Sequence, residues 1–437
     1  MKRFGGSLLA AVVAMGLLLG TSGILQVQAA PTKNQGKFYL KDGDRVVFYG
    51  DSITDQKLYT TYIETYCLTR FPNKHFTFVH SGWGGDRVTG GGGGPIDVRL
   101  KRDVLAYKPT VVTICLGMND ASYRPFDQKI FDTYVNGYRH ILDTLIKELP
   151  GVRITLLTAP AFDDVTRPVS FPGGYNAVLV AYGEAVQGLA KEYGLTVADT
   201  NSPLVGAMAR ANTLDKELAP KIIPDRVHPG FGGHLIMASA VLKAWNAPET
   251  VADIEIDASS EGQVTKQENT RISDLKAAPV TISFTLKDNA LPWAMDRNPD
   301  SQKDTLLSLA VTDIEQTLNR YNLRVTGLPG GSYTLRVDGV DLGKVSVRDL
   351  DKGVNLAAFP QSPVNVQTQE VLNLTRKHND LHFRRWRIVP KAKDGFMATP
   401  DIQKEMDDLD AQEAKVIPDQ RAAAKPKTHR VELTSSR

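Results

Sequence analysis

Arg45-Val46-Val47-Phe48-Tyr49-Gly50-Asp51-Ser52-Ile53-Thr54 is the stretch whose reading decides the fold. Four consecutive apolar residues, two of them β-branched, predict a short strand buried on both faces. The strand stops at Gly50-Asp51-Ser52, and Leu58, Tyr62, Ile63, Tyr66 and Cys67 then recur at helical spacing. Ser52 therefore stands on a strand-to-helix turn, where backbone N–H groups point outward and can hold developing negative charge. Two roles fit a serine there: a nucleophile, or the N-cap of the helix that follows.

Working outward, strands are predicted at Phe76–Val79, Thr110–Leu116, Val152–Leu157 and Leu195–Ala198. Amphipathic helical stretches lie between them at 97–106, 128–148, 174–193 and 203–214. Alternation of this kind implies right-handed crossovers and a parallel sheet covered on both sides. Ligands bind such sheets beyond the carboxyl ends of the strands. The second strand runs into His80-Ser81-Gly82-Trp83-Gly84-Gly85-Asp86, and the third into Gly117-Met118-Asn119-Asp120, so both motifs fall at that edge. Further on, Pro224-Asp225-Arg226-Val227-His228-Pro229 precedes a helix through Leu235, Leu242 and Trp245. His228 is pushed out of helical geometry by the proline after it. Asp225 lies within reach of the imidazole and can fix its tautomer, leaving the other ring nitrogen to take a proton. A surface histidine on a helix-entry turn is the bland alternative.

Lys2 and Arg3, the apolar Leu8 to Leu19 and the small-residue Val27-Gln28-Ala29 predict a secretory signal peptide over residues 1–29. Cleavage after Ala29 leaves an exported soluble protein, periplasmic or extracellular. Retention of the segment as an N-terminal membrane anchor is the other outcome, and no later segment is long and apolar enough to span a bilayer. Removing Lys2 and Arg3 lowers the formal charge from +3 to +1, which gives no electrostatic reason to expect nucleic acid. Cys67 and Cys115 read as two buried free thiols. No His or Cys stands at metal-binding spacing, so no metal or other cofactor is expected.

Gly50-Asp51-Ser52-Ile53, Gly82 to Asp86, Gly117-Met118-Asn119-Asp120 and Asp225-Arg226-Val227-His228 resemble, in order and spacing, the four blocks of the SGNH (GDSL) hydrolases. The resemblance covers about residues 38–247. It implies a flavodoxin-like α/β/α sandwich with a five-stranded parallel sheet, and a serine esterase. It assigns Ser52 as nucleophile, His228 as base and Asp225 as its orienting acid. The oxyanion hole would comprise the Ser52 and Gly85 backbone N–H groups and the Asn119 side-chain amide. The residue chemistry agrees: glycine lets its N–H approach a substrate, and an amide cannot lose its proton. No G-x-S-x-G elbow is present, which separates the chain from α/β-hydrolases.

Trp83, Met118 and Tyr123 fit either a sugar-stacking or apolar wall or ordinary core packing. Asp163, in Phe162-Asp163-Asp164-Val165-Thr166-Arg167, borders the same edge, as a contact to substrate hydroxyls or as part of a solvated loop. The Gly90 to Gly94 run matches no phosphate-binding pattern.

After Ala247-Pro248 the character changes. An accessory, mostly antiparallel β-module is expected over 248–360, with strands at 251–256, 280–286, 321–326, 332–337 and 344–347. Hairpins are signalled at Leu328-Pro329-Gly330-Gly331 and Asp338-Gly339, and polar connections near 259–275 and 296–304. C-terminal helices follow over 361–424, and 425–437 is a closing strand or a tail. Ala290-Leu291-Pro292-Trp293 is the segment expected to reach towards the cleft. Phe383-Arg384-Arg385-Trp386-Arg387 reads as a charged helix end with two packing aromatics, since no wider basic excess favours nucleic acid.

The whole reads as an exported carboxylester hydrolase acting on a small-molecule or carbohydrate ester, removing acetyl or another short acyl group. A lysophospholipase or thioesterase is the alternative within the class. A glycan-binding or scaffold protein with a vestigial serine site is the alternative outside it.

Overall fold

β1 (Arg45–Gly50) is the hub of a five-stranded parallel sheet in the computed structural model, which describes residues 36–297, 300, 302–388 and 399–436. The predicted signal peptide lies outside the described residues. β2 (Thr77–Gly82) and β3 (Val111–Cys115) flank β1, and β4 (Arg153–Leu157) and β5 (Thr196–Ala198) extend the sheet in the order β2-β1-β3-β4-β5. Val46 to Tyr49 and Val111 to Cys115 are buried because helices cover both faces. Those helices are α1 (Ser52–Asp55), α2 (Leu58–Arg70), α3 (Ile96–Asp103), α4 (Gln128–Glu148), α5 (Gly174–Tyr193), α6 (Ser202–Leu214) and α7 (Phe231–Ala244). The architecture is the α/β/α sandwich of SGNH hydrolases, with the flavodoxin-like strand order.

α4 shows how sequence produces a layer. Tyr134, Tyr138, Ile141, Leu142 and Leu145 recur on one face and are buried, while Asp127 accepts from the Lys129 and Ile130 N–H groups at the N-terminus. Each buried side chain of that kind contributes about 1.5–3 kcal/mol. At the carboxyl edge, α1 folds tightly over the strand ends. A Cβ on Gly50 would lie 2.2 Å from Thr54 Oγ1, and one on Gly82 would lie 2.1 Å from the Asp55 nitrogen. Glycine at both strand ends lets the turn carrying Ser52 sit against the sheet. Cys67 and Cys115 are buried free thiols.

The second half contains β6 (Thr250–Asp257), β7 (Gln263–Glu268), β8 (Thr270–Ala278), β9 (Thr281–Asp288), α8 (Lys303–Ala310), α9 (Ile314–Leu318), β10 (Arg320–Thr326), β11 (Ser332–Val337), β12 (Val340–Ser346), α10 (Val347–Lys352), β13 (Val354–Asn355), α11 (Pro363–Ile388), α12 (Pro400–Ala423) and β14 (Thr428–Ser436). One sheet runs β8-β9-β14-β11-β12, all antiparallel. The other runs β13-β10-β6-β7, antiparallel except for the parallel β6/β10 pair. Ile254, Phe284, Leu323, Leu335 and Leu433 belong to the core of this module.

Three local expectations are corrected. The polar span 259–275 is mostly strand, because β7 and β8 gain backbone pairing while their side chains stay largely in solvent. Leu328-Pro329-Gly330-Gly331 makes no hairpin: β10 and β11 belong to different sheets, so the turn crosses between them, whereas Asp338-Gly339 does join a paired β11/β12. Trp293 does not approach the cleft. It is buried against α2, donating from Nε1 to the Tyr62 carbonyl at 2.8 Å, and with Leu307 and Leu318 it joins the core of the parallel-sheet half. The C-terminal segment is β14, a strand set between β9 and β11. Among the described residues no helix is long and apolar enough to cross a membrane.

Candidate active site

Ser52 is the first residue of α1, but it does not cap that helix. Asp51 does, accepting from the Ile53 N–H at 3.0 Å. The Ser52 hydroxyl is thereby left to donate to His228 Nε2 at 2.8 Å. His228 Nδ1–H donates to Asp225 Oδ2 at 2.7 Å, while Asp225 Oδ1 accepts from the backbone N–H groups of Val227 (3.0 Å) and His228 (2.7 Å). One carboxylate thus orients both the ring and its backbone. Partial burial alone would raise the Asp225 carboxyl, but hydrogen bonds from His228 outweigh it and hold the group below its ordinary value.

The turn carrying Asp225 and His228 is anchored from the loop after β4. Arg226 has φ +76° and donates to the Asp163 carbonyl (3.2 Å), Asp164 Oδ1 (2.7 Å) and the Pro168 carbonyl (2.8 Å). Asp163 is buried and paired with Arg167, which also donates to the Ile223 and Pro224 carbonyls. Asp163 therefore neither lines the substrate space nor belongs to a solvated loop; it fastens the turn that carries His228. His234, six residues beyond His228, was missed in the sequence. It accepts from the Tyr59 N–H (3.3 Å) and donates to Gln56 Oε1 (2.7 Å), tying α7 to the segment after Ser52. Burial pushes His234 down to about 3, so it stays neutral in this role. Nothing short of the fold would have singled it out, since a helix interior hides its partners.

Gly85 lies on an exposed turn after β2 with φ +76°, a conformation that favours glycine. Among the described residues neither the Ser52 nor the Gly85 backbone N–H has a backbone acceptor. Asn119, half-buried after β3, donates from Nδ2 to the Asp86 carbonyl at 3.1 Å, and its Oδ1 accepts from the Tyr123 hydroxyl at 2.9 Å. The amide is thus oriented at both ends, with one N–H hydrogen left over. Burial pushes the Asp51 carboxyl up to about 8.

The proposed wall residues separate. Met118 is buried in the core and leaves the wall, because its strand end is covered by Tyr175, whose hydroxyl donates to the Met118 carbonyl at 2.6 Å. Tyr123 is 43% exposed, stacks on Tyr175 and orients Asn119 through its hydroxyl. Trp83 is half-buried, and the Arg387 guanidinium lies 3.7 Å from its ring centroid, so that face is not open to a sugar. Among the described residues no cluster of His, Cys, Asp and Glu is arranged to hold a metal. An alcohol hydrogen-bonded to an oriented imidazole, at the same sheet edge as three loops that carry N–H donors, supplies the groups that acyl transfer uses.

Residues 48–236 match the GDSL-like Lipase/Acylhydrolase family. The chain is 28% identical over 221 residues to an acetylxylan esterase of Geobacillus stearothermophilus, covering 46% of this chain and 93% of that enzyme. The solved structure of a gut microbial diltiazem-metabolizing enzyme is similar with a TM-score of 0.80 at 26% identity, covering 92% of this chain and all of the other. That second likeness takes in the β-module and the C-terminal helices as well as the parallel sheet.

Proposed function

Residues 48–236 form a GDSL-like lipase/acylhydrolase domain, the chain is an ester-bond hydrolase, and from that premise we propose an exported serine esterase that removes acetyl or another short acyl group from a carbohydrate. The observation that carries this reading is the pair of contacts meeting at His228: 2.8 Å to the Ser52 hydroxyl and 2.7 Å to Asp225. The acetylxylan esterase relative supports acetyl as the acyl group and a carbohydrate as the alcohol. The basic and apolar pattern of residues 1–29 supports export.

In the first half-reaction His228 Nε2 takes the Ser52 proton as Oγ attacks the ester carbonyl carbon. The carbonyl oxygen becomes an anion facing the Ser52 and Gly85 N–H groups and the free Asn119 N–H. Collapse breaks the ester C–O bond, and His228 returns the proton to the departing sugar hydroxyl. In the second half-reaction His228 deprotonates water, which attacks the acyl-serine. The carboxylic acid leaves and Ser52 regains its proton. Asp225 holds the ring in the tautomer with Nδ1 protonated and stabilises the imidazolium that forms twice per cycle.

Ser52→Ala is expected to abolish hydrolysis of p-nitrophenyl acetate and of acetylated xylo-oligosaccharides, together with labelling by a fluorophosphonate. Retained turnover in that variant would overturn the nucleophile assignment. A wild-type preference for long acyl chains over acetate would overturn the short-acyl assignment and favour a lipid esterase.

A further inference from the structure

Arg387 lies on the last turn of α11, far from Ser52 in sequence and outside the four motif blocks. Its Nη2 donates to Asp55 Oδ1 at 2.6 Å, and Asp55 closes the short helix that Ser52 opens. The same guanidinium stacks on Trp83, 3.7 Å from the ring centroid, and Trp83 begins the turn that carries Gly85. The pair is partly desolvated, with the two side chains 22% and 24% exposed, so it is not a freely solvated surface contact.

A second path runs from the neighbouring Trp386, which is buried. Its Nε1–H donates to Asp103 Oδ1 at 2.8 Å, and its ring meets Trp83 edge-on at 5.4 Å. Asp103 is paired with the buried Arg99, which also donates from Nε to Asp86 Oδ2 at 2.5 Å. The Asp86 carbonyl in turn accepts from Asn119 Nδ2. The end of one C-terminal helix is therefore joined to the turn after Ser52, to the loop of Gly85 and, through Asp86, to Asn119.

We propose that Arg387 is a positioning residue for the reaction assigned above: it locks the Ser52 turn to the Gly85 loop and so sets the spacing between nucleophile and oxyanion donors. The inference rests on the proposed Ser52 chemistry. A planar guanidinium suits the place because it stacks on an indole and binds a carboxylate in one orientation, which an ammonium does not. Within the Phe383 to Arg387 segment, Trp386 and Arg387 thus dock beside the catalytic loops, with Lys57 seated 3.9 Å from the Phe383 ring centroid on the other flank, whereas Arg385 pairs with Asp410 of α12.

The test measures kcat and KM for p-nitrophenyl acetate per Ser52 site titrated with a fluorophosphonate, alongside melting temperatures. Arg387→Gln is expected to lower kcat about 10- to 100-fold with little change in KM, the loss that follows a misplacement of about 1 Å. Arg387→Lys recovers part of that loss, by keeping the charge on Asp55 without the flat stack on Trp83. Asp55→Asn gives a similar loss, and the double variant is no worse than the more impaired single, because the two substitutions share the Arg387–Asp55 contact. Wild-type kcat per titrated site in both single variants, or losses that simply multiply in the double variant, would overturn the positioning role. A dead Ser52→Ala control beside fully active Arg387 variants removes only this inference, whereas an active Ser52→Ala removes the function it rests on.

Discussion

Two alcohol–imidazole–carboxylate arrangements occur among the described residues. In the open one, Ser52, His228 and Asp225 meet at the sheet edge, with the His228 and Asp225 side chains 32% and 56% exposed. In the sealed one, Thr60 Oγ1 lies 2.7 Å from His80 Nδ1, and His80 Nε2 lies 3.1 Å from Glu64 Oε2, with both charged-type side chains almost fully buried. Burial pushes His80 down, and hydrogen bonds from His80 lower Glu64 against the effect of its own burial, so a neutral ring donates to a carboxylate. Glu64 also accepts from Asn379 on α11 (3.1 Å) and Gln420 on α12 (3.2 Å), which fastens both C-terminal helices to α2. The same three functional groups serve structure in one place and fit chemistry in the other. What differs is access: the first arrangement is partly exposed and the second is buried.

The sharpest test of that contrast exchanges a carboxylate for an amide in each. Asp225→Asn is expected to lower kcat by about 10⁴ with the fold intact, because the amide favours the wrong imidazole tautomer. Glu64→Gln is expected to leave kcat unchanged and to lower stability by about 1–3 kcal/mol, since a buried group loses its match. Steady-state kinetics and thermal melts of the two variants check both halves. A loss of turnover in the Glu64 variant with no fall in melting temperature would break the distinction.

A smaller effect tests the role of the donors. Asn119→Ala is expected to reduce kcat by about 10²–10³ without unfolding, the usual result of removing one oxyanion donor. Full activity would take Asn119 out of the mechanism.

The smallest effect is on stability, in the sealed region. His378 on α11 donates to Glu413 of α12 at 2.9 Å and faces Glu64 of α2, with His80 and His382 nearby. Burial works against its charge, but the Glu413 contact and the Glu64 charge prevail and raise it from 6.5 to about 9. The folded value lies above the unfolded one. Its contribution, on the order of 1–3 kcal/mol, is therefore fully present below about pH 6.5 and lost as pH rises through about 9. Melting temperatures of wild type and His378→Gln between pH 6 and pH 10 are expected to converge at the alkaline end. A constant gap across that range would remove His378 from the linkage.

The parallel-sheet half was legible because each of its signals is local. A buried strand, a glycine stop and a helical period occur within about two dozen residues from Arg45 onward, and the strand order follows from alternation and crossover handedness. The second half was less so. β14 is placed by pairing with β9 and β11, partners far away along the chain, and the crossing at Leu328 to Gly331 uses the same turn residues as a hairpin. Polar strands such as β7 carry no apolar alternation to betray them.

By itself the sequence determined the residue types at the carboxyl edge, their order, and therefore the class of reaction, because a serine, an amide and a histidine–acid pair on three separate loops have few other reasons to share that edge. Only the tertiary structure decided which groups face substrate and which hold others in place. Met118 turns into the core, Asp163 fastens a turn, Asp51 takes the cap that Ser52 does not, and Arg387 arrives from the far end of the chain. The physical reason is that burial and partnership depend on segments distant in sequence, whereas strand and helix depend on neighbours.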